Sequence, residues 1–469
     1  MQFLSVEFLA GLGAAFLLYW MIPRRNWQNG ILLTASLGMA LSLGANVLAV
    51  LTVSTCLEWL IARRMGRAGK RGRSLLLWAS IALNVSQLIV FKYARFFVPE
   101  MSRLFPQAGH GIGAWDVLMP AGLSFWTLQK MTLTLDVYHR RRAPETGFLR
   151  CLLFAGFFPT LLSGPIERSR NLLPQFGKLR TWDVTRFSEG VWLFAFGAFQ
   201  KAVIADNVGA VADSLLKPGH TGAAVLVGMW AYALQIYADF AGYSSIARGC
   251  ARLFGIDIMQ NFMAPYLARN LSDFWKHWHI SLSGWLNEYV YTPVSMRFRQ
   301  WGTASMVLAI WATFTLSGLW HGTGWTFFAY GCLHALGITV FLLSKGLRKS
   351  LKARLRDPAW LEWAAVAITF HWVCMAYVFF RAPDIAAAAS QIASLFQGGW
   401  NPLDVPADWG VLGCSAFAVF GMQAMMQRER EVFWAFRRPL WFRVALYLAL
   451  AFLLLRFYAP SDRFIYTQF

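Results

Sequence analysis

The sequence predicts an all-α integral membrane protein that crosses the bilayer many times. Hydrophobic residues make up 57% of its 469 residues and charged residues only 14%, whereas roughly 25% of the residues in soluble domains are charged. At about 20 apolar residues per spanning helix, this content supplies roughly a dozen spans. A single soluble core is excluded, because such cores stop growing near about 250–300 residues. Disorder, a coiled coil and a disulfide scaffold are excluded as well.

Apolar runs of helical length recur along the whole chain, and each is a candidate span. The runs are Phe3–Ile22, Ile31–Leu43, Val47–Ala62, Ser74–Phe91, Val117–Val137, Phe187–Ile204, Ala223–Phe240, Ser305–Leu319, Thr326–Leu343, Trp360–Phe380, Val411–Met426 and Leu440–Phe457. The run from Ile31 to Ala62 must cross twice in little space, so we expect those two helices to be short or re-entrant. Two further segments are predicted not to span. Phe148–Ser163 is expected to be re-entrant, and Asn261–Pro293 to be an amphipathic or re-entrant unit on the cytoplasmic side. The first is apolar but is flanked by basic residues, and the second is rich in polar and aromatic residues.

The charge balance favours a membrane protein with basic cytoplasmic loops. The chain has 43 Lys and Arg against 23 Asp and Glu, a formal net charge of +20. Basic clusters follow alternate runs, as the positive-inside rule requires. They begin near Arg63, Arg140, Lys345 and Arg428. This pattern predicts a multi-pass membrane protein, in contact with lipid, with both termini on the side opposite the cytoplasm. Nucleic-acid binding is not expected, since no motif supports it.

The cysteines and histidines do not predict a metal site. The six cysteines are scattered and form no C-x-x-C pair, so neither a zinc site nor a disulfide framework is expected. His277 and His279 are two residues apart, but no acidic partner stands at ligand spacing. His110, His139 and His220 fall in predicted loops. His334 and His371 lie inside apolar helices, where each can bond a neighbouring carbonyl or serve a function.

His321 is the strongest catalytic candidate. It lies in Leu316–Trp325, where two apolar runs meet and Gly318, Gly322 and Gly324 permit close approach. Burying an ionisable side chain within the membrane costs free energy, so such a residue usually has a function. A neutral imidazole in a pocket of low polarity can accept a hydroxyl proton near pH 7. The alternative is a structural histidine that caps a pair of helices.

His279 is the second candidate, in Asp273–Trp285. If this segment is one helix, Trp275, Trp278, His279 and Leu282 share a face. Such an aromatic face is more often core or interfacial belt than ligand site. Asp239 and Asp136 are each predicted at a helix end, where pairing with Lys or Arg is the more common role.

Five motifs occur in an order and at a spacing that resemble the membrane-bound O-acyltransferase family, and most closely its bacterial branch that acetylates exopolysaccharides such as alginate or cellulose. Their residues are Met119–Gln129 with Leu135–Tyr138, Phe157–Glu167, Tyr237–Tyr243, Phe274–Ser283 and Leu319–Gly322. The ending Phe464–Phe469 is similar to the family too. One departure is Val294–Arg297, where relatives usually carry a Gly-Gly-Asn-Arg-like turn, so donor contacts by this loop are not carried over.

The resemblance implies a ring of about 11–12 transmembrane helices with re-entrant segments around a central channel. It implies one membrane domain over residues 1–469, with N-terminal helices at 1–116, a catalytic core at 117–345 and C-terminal helices at 346–469. The catalytic histidines of the family correspond to His321 and His279. We further predict supporting roles, in the channel or in positioning the donor and the acceptor, for residues in or next to these motifs, namely Tyr237, Asp239, Asp273, Trp275, Trp278 and Trp320.

The function implied is O-acyl transfer, expected to be of acetyl, from a cytoplasmic thioester to an exopolysaccharide, directly or through periplasmic esterase-like partner proteins. The donor is expected to be acetyl-CoA or an acyl carrier, with no permanently bound cofactor and no metal. D-alanyl or other acyl transfer to a cell-envelope polymer is the alternative within the family. A transporter of lipid-linked sugar and a scaffold without chemistry are the alternatives outside it, although we find no internal repeat of the kind that transporters show.

Overall fold

A computed structural model describes residues 3–94, 119–355, 359–429, 432–458 and 465. Within these ranges the chain folds into helices, and no strand occurs there. The helices are α1 (Val6–Met21), α2 (Arg25–Leu43), α3 (Ala45–Arg67), α4 (Lys70–Leu88), α5 (Leu123–Tyr138), α6 (Phe148–Gly156), α7 (Ser169–Phe176), α8 (Val184–Ala198), α9 (Asp206–Leu215), α10 (Gly222–Leu253), α11 (Leu271–His277), α12 (Ile280–Leu286), α13 (Thr292–Arg297), α14 (Thr303–His321), α15 (Trp325–Leu343), α16 (Lys345–Arg354), α17 (Ala359–Arg381), α18 (Ile385–Ser394), α19 (Trp409–Glu429) and α20 (Leu440–Phe457). Turns of π-helix at Ile89–Tyr93, Phe199–Ala205 and Asn287–Tyr291 follow α4, α8 and α12.

The membrane prediction is confirmed. Among the described residues, eight helical segments are long and apolar enough to cross a bilayer. They are α3, α4 with its π-turn, α10, α14, α15, α17, α19 and α20. The predicted number of about 11–12 spans is larger, because α1 is shorter than this criterion requires and the run from Val117 begins outside the described residues. The end motif at 464–469 lies outside them as well, except for Ile465.

Three expectations about individual segments were wrong. Helices α2 and α3 are not short, because α2 already begins at Arg25 and α3 continues to Arg67. The run Phe187–Ile204, a candidate span, is not among the eight spanning segments, and α8 passes into a π-turn at Phe199. Asp239 does not lie at a helix end, because α10 continues unbroken to Leu253. In each case the apolar run alone did not mark the end of the helix.

The two segments predicted not to span contain only short helices. In Phe148–Ser163 the helix is α6, with nine residues. At 1.5 Å per residue it is less than half as long as the hydrocarbon core is thick. Asn261–Pro293 contains α11 and α12, with seven residues each. Neither segment therefore crosses the bilayer as a helix.

The chain divides into two compact units, one of residues 1–194 and 243–259 and the other of residues 195–242 and 260–469. In the first unit, two motifs of the sequence are bound together by Gln129. Its amide donates to the carbonyl of Phe154 at 2.6 Å and to Thr160 Oγ1 at 3.1 Å, and its Oε1 accepts the N–H of Glu167 at 3.1 Å. Asp136 pairs with Arg170 at 3.1 Å, which confirms the expected ion pair.

A buried polar network joins three helices of the first unit. Glu58 on α3 accepts hydrogen bonds from Ser80 and Asn84 on α4, at 2.6 and 3.0 Å, and from Thr134 on α5. Beside it, Lys130 Nζ donates to Gln87 Oε1 at 2.7 Å. Glu58 and Lys130 are both fully buried. Apolar packing between spanning helices is weakly directional, so such bonds fix which faces of the helices meet.

Glu58→Ala is therefore expected to destabilise the protein more than Ser80→Ala does. Removing Glu58 leaves three buried donors without their acceptor, which costs about 3 kcal/mol or more. Ser80→Ala removes one of the three bonds, at a cost of about 1 kcal/mol. Thermal denaturation of the detergent-solubilised variants measures the difference. Equal midpoints for the two variants would contradict the role assigned to Glu58.

In the second unit, α14 and α15 form a hairpin that packs backbone against backbone. A Cβ placed on Gly318 would lie 3.2 Å from Gly331 Cα and would collide with the carbonyl of Phe327. A Cβ placed on Gly331 would collide with the carbonyl of Phe314. Glycine at these two positions permits the close approach that branched residues forbid. The hairpin turn, at Gly322–Gly324, therefore follows directly on His321.

Candidate active site

His321 is the last residue of α14 and is only 4% exposed. Its ring is surrounded by other aromatic rings of the second unit. The distances between ring centroids are 5.0 Å to Trp320, 5.4 Å to Phe380 and 5.8 Å to Tyr330. Because these neighbours exclude water, the environment has the low polarity that the sequence predicted for this imidazole.

His279 lies in a break between two helices, which corrects the single helix expected here. Helix α11 ends at His277 and α12 begins at Ile280. His279 has φ +43°, in the left-handed region that non-glycine residues rarely adopt. Its side chain is fully buried, and its ring meets that of Phe240 edge to face at 4.7 Å. Such a strained residue persists only where its surroundings determine it, and it is often functional.

Asn261 supports this strained position, and the sequence did not single it out. Its carbonyl accepts the N–H of Ile280 at 2.9 Å, and its side-chain oxygen accepts the N–H of Ser281 at 3.3 Å. The carbonyl of His277 in turn accepts the N–H of Met263 at 3.1 Å. The signal available in the sequence was that the polar segment predicted not to span begins with this asparagine.

The two imidazoles lie near each other, although 41 positions separate them in the sequence. Their centroids are 6.5 Å apart, and the ring of Trp320 is 5.9 Å from that of His279. Burial lowers the pKa of His279 to about 3, because the charged form cannot be solvated there. His279 is therefore neutral at physiological pH and can offer a hydrogen bond without carrying charge.

A cleft of about 710 Å³ follows the hairpin and opens near basic residues; we name it the hairpin cleft. Lys276, Lys345 and Arg348 border it, and Lys345 is exposed. Its other walls are mostly apolar and include Trp275, Ile280, Ile310, Thr313, Phe314, Ser317, Ile338, Phe341 and Leu342. Ser317 lies one helical turn before His321, and Ile280 follows His279. The hairpin cleft therefore leads from a basic opening to the neighbourhood of both imidazoles.

A second, more polar cleft of about 1020 Å³ lies near the end of α17; we name it the Arg381 cleft. Arg381 pairs with Asp213 at 2.8 Å and lies over the ring of Tyr232. Phe380, which contacts His321, precedes Arg381. Helix α17 has 23 residues, about 34 Å at 1.5 Å per residue.

Helices α15 and α17 pack antiparallel, since the rings of Tyr330 and Phe380 are 5.3 Å apart and a Cβ on Gly337 would lie 3.0 Å from the ring of Trp372. The hairpin cleft, which reaches Lys345 just beyond the end of α15, therefore lies towards the start of α17, and the Arg381 cleft lies at its end. The imidazoles themselves border neither cleft.

The other predicted site residues have different positions. Trp275 borders the hairpin cleft. The rings of Tyr237 and Trp278, the residue before His279, pack together with their centroids 6.4 Å apart. Asp273 does not enter a cavity: it is about one-third exposed, and its N–H bonds Asn270 Oδ1 at 2.8 Å in the first turn of α11. Its position in the first turn of α11 directs it towards the surface, and its supporting role stays a prediction.

Asp239 holds an ion pair rather than facing the imidazoles. Its partner is Lys201, which the sequence analysis did not single out. The Nζ of Lys201 lies 3.0 Å from Oδ1 of Asp239 and 2.5 Å from Oδ1 of Asp206. The other oxygen of Asp239 accepts the N–H of Ile465 at 2.8 Å. Burial raises the pKa of Asp206 to about 6, even with Lys201 beside it. Asp206 and Ile465 border the Arg381 cleft, so the cluster shapes a wall of that cleft.

Comparison with known proteins gives these residues their context. A sequence profile described as the membrane-bound O-acyltransferase family matches residues 74–381, well over half of the chain. The matched region contains both buried histidines, the hairpin and the whole of α17. The chain belongs to the membrane-bound O-acyltransferase family. Its enzymatic class is thus O-acyl transfer, as the motifs predicted.

Curated relatives of this O-acyltransferase are named for acyl transfer to alginate, peptidoglycan or teichoic acid. The chain is 32% identical over 394 residues to the probable alginate O-acetylase AlgI of Azotobacter vinelandii, with 83% of this chain and 76% of the relative covered. It is 32% identical over 347 residues to the peptidoglycan O-acetyltransferase of Helicobacter pylori, with 66% and 63% covered. To the teichoic acid D-alanyltransferase of Bacillus subtilis it is 30% identical over 275 residues, with 55% and 68% covered.

The burial of His279 predicts a specific sensitivity to acid. The pKa of His279 is about 3 in the folded protein and about 6.5 in an unfolded chain. Below pH 6.5 the unfolded state binds a proton that the folded state excludes, so this contribution to stability falls from pH 6.5 towards pH 3. We expect His279→Gln to lose less thermal stability than the unmodified O-acyltransferase between pH 7.5 and pH 5. Equal losses in detergent solution would show that His279 is not held neutral.

Proposed function

We propose that this O-acyltransferase transfers an acetyl group from a cytoplasmic thioester across the inner membrane to the hydroxyls of an exopolysaccharide. The observation that carries the proposal is the position of two buried imidazoles, 6.5 Å apart, between a basic, apolar-walled cleft and a polar cleft at opposite ends of a spanning helix. One cleft suits an anionic thioester and the other a polyhydroxyl acceptor. Similarity to alginate O-acetylases over most of the chain supports acetyl as the group transferred.

The orientation follows from the charges. Lys345 and Arg348 belong to a basic segment, and the positive-inside rule assigns such segments to the cytoplasm. The hairpin cleft then opens to the cytoplasm, where acetyl-CoA or an acyl carrier is available. The Arg381 cleft opens to the periplasm, where the polymer or an esterase-like partner protein approaches. By the same rule both termini are periplasmic.

In the proposed reaction, His321 takes the proton of the acceptor hydroxyl as its oxygen attacks the thioester carbonyl. The new C–O bond forms, the C–S bond breaks, and the thiolate leaves with the proton that His321 held. Neutral His279 donates a hydrogen bond to the developing oxyanion. General-base catalysis contributes about 10²–10⁴-fold, and holding two substrates in a site without bulk water contributes the rest. The reaction balances without a metal or a redox cofactor.

The test is transfer of label by membranes that contain the full chain. A bacterium that makes an exopolysaccharide but lacks its own acetylating membrane enzyme would express the chain, and its membranes would receive radiolabelled acetyl-CoA or acetylated acyl carrier. We expect alkali-labile acetyl on the polymer or on a periplasmic partner. Absence of label from both, with the protein present at normal amounts, would overturn the proposal. Transfer of D-alanyl instead of acetyl would identify the activity of the more distant relatives.

A further inference from the structure

Three aromatic side chains form a layer at the inner end of the hairpin cleft; we name this layer the aromatic stop and define it as Trp275, Phe314 and His334. Their centroids are 4.9 Å apart for Trp275 and His334, 5.1 Å for Trp275 and Phe314, and 6.2 Å for Phe314 and His334. All three residues belong to the second unit.

The lining of the cleft shows where this layer stands. On α14 the lining residues continue as far as Ser317, one turn before His321. On α15 they end at Ile338, one turn short of His334. Trp275 and Phe314 border the cleft at this level and rest against His334, which is fully buried. The aromatic stop therefore closes the α15 side of the cleft, close to where the cleft approaches His321.

A hydrogen bond fixes the indole of Trp275 in this layer. Its Nε1 donates to Nδ1 of His334 at 3.2 Å. The neutral imidazole then carries its proton on Nε2, and none of the described residues accepts that proton. Because the lone pair of Nδ1 is engaged by the indole, His334 is not placed to act as a base. Its contacts instead determine where the ring of Trp275 lies.

We infer that the aromatic stop limits the acyl group of the donor to short chains such as acetyl, with Trp275 as the specificity-determining residue and His334 as its positioning residue. The inference rests on the proposed function, in which the thioester end of the donor reaches the inner end of the hairpin cleft. A longer chain there must displace the indole of Trp275. Displacement separates the indole N–H from His334 and leaves a buried donor and a buried acceptor unsatisfied, which disfavours the longer chain.

Removing the indole reverses this preference. Trp275→Ala opens apolar space beside Phe314 and Ile338, and each methylene that fills such space strengthens binding by about fourfold. Acetyl is too short to use the new space. The variant is therefore expected to prefer butyryl and hexanoyl donors over acetyl, whereas the unmodified enzyme prefers acetyl.

The experiment measures binding in the cleft separately from turnover. Full-length protein carrying Thr313→Cys, a position that borders the hairpin cleft, is reconstituted in vesicles and alkylated with a maleimide. Acetyl-, butyryl- or hexanoyl-pantetheine serves as the protecting ligand, since pantetheine is the arm shared by CoA and acyl carriers. Mass spectrometry at position 313 reports the protection.

We expect acetyl to protect best in the Thr313→Cys protein and hexanoyl to protect best once Trp275→Ala is added. The ratio of hexanoyl to acetyl affinity should rise at least tenfold. Leu342→Ala enlarges the same cleft farther from His321 and should leave the order unchanged. An unchanged order in Trp275→Ala overturns the inference while the donor site stands. If no thioester protects the thiol in any of these proteins, the hairpin cleft is not the donor site, and that part of the proposed function fails with the inference.

Two variants of His334 test its positioning role. His334→Asn keeps an oxygen acceptor near the place of Nδ1, and His334→Leu removes the acceptor. We expect His334→Asn to keep the preference for acetyl and His334→Leu to shift it towards longer chains, as Trp275→Ala does. A general structural role would lower the amount of folded protein in both variants without changing the order of chain lengths. The same order in both variants would overturn the role assigned to His334.

Discussion

Replacement of His321 by alanine is expected to lower acyl transfer by about 10²–10⁴-fold while the protein still inserts into the membrane. The imidazole lies at the end of α14 among Trp320, Tyr330 and Phe380, with 4% of its surface exposed. Alkali-labile acetyl per amount of protein in the membrane, with donor at saturation, measures the loss.

A second histidine on a spanning helix provides the matched control. His371 on α17 is exposed, its Nδ1 lies 2.8 Å from the carbonyl of Ala367, and its Nε2 accepts the indole N–H of Trp230 at 3.2 Å. His371→Ala removes the same chemical group from a spanning helix. We expect transfer to remain within about twofold, since His371 lies nine residues, roughly 13 Å along α17, from Phe380, which contacts His321. Retention of transfer in His321→Ala would refute the role of His321 as base.

Gly331→Ala is expected to cause the second large loss, through the packing of the hairpin. The added methyl group meets the carbonyl of Phe314 on the facing helix, and backbone atoms cannot move aside as the end of a side chain can. Helices α14 and α15 must separate, at a cost of about 1–3 kcal/mol. The shift moves Ser317 and His321 relative to α15. A displacement near 1 Å in such a site costs about 10²-fold in rate.

Gly421→Ala on α19 is the matched substitution, because no atom lies within 4 Å of a Cβ at that position. It is expected to stabilise the protein slightly, by about 0.5–1 kcal/mol, because alanine favours a helix over glycine. Thermal denaturation in detergent and transfer per folded protein are measured for both variants. Normal transfer and stability in Gly331→Ala would contradict the close packing of the hairpin.

Much of the fold followed from patterns that are local in the sequence. The membrane class came from composition, and the spans at α10, α14, α15 and α17 came from apolar runs of sufficient length. The predictions for Phe148–Ser163 and Asn261–Pro293 also held, because their flanking charges and polar content are local properties. Helix ends were predicted less well. Helix α10 continues past Asp239, whose buried carboxylate pairs with Lys201. That partner lies 38 positions earlier, so the apolar run around Asp239 does not reveal it.

The candidate site divides in the same way. The motifs identified His321 and His279 as candidates, but the break at His279 depends on Asn261, a residue 18 positions earlier that accepts the N–H groups of Ile280 and Ser281, directly after the strained residue. Asp273 was predicted to support the site as the first residue of the segment that carries His279. Its position in the first turn of α11 directs it to the surface instead.

The sequence by itself determined that this is a membrane protein, to which family it belongs, and that His321 and His279 are the catalytic candidates. The hydrophobicity of a segment, the spacing of its motifs and the order of its charges can be read from neighbouring residues. They do not depend on which distant residues come into contact in the folded protein. The tertiary structure alone decided that these histidines lie 6.5 Å apart, that two glycines bring α14 and α15 together, and that His334 bonds Trp275. Those facts depend on contacts between distant residues, because a buried polar group is stable only beside the particular partner that satisfies it.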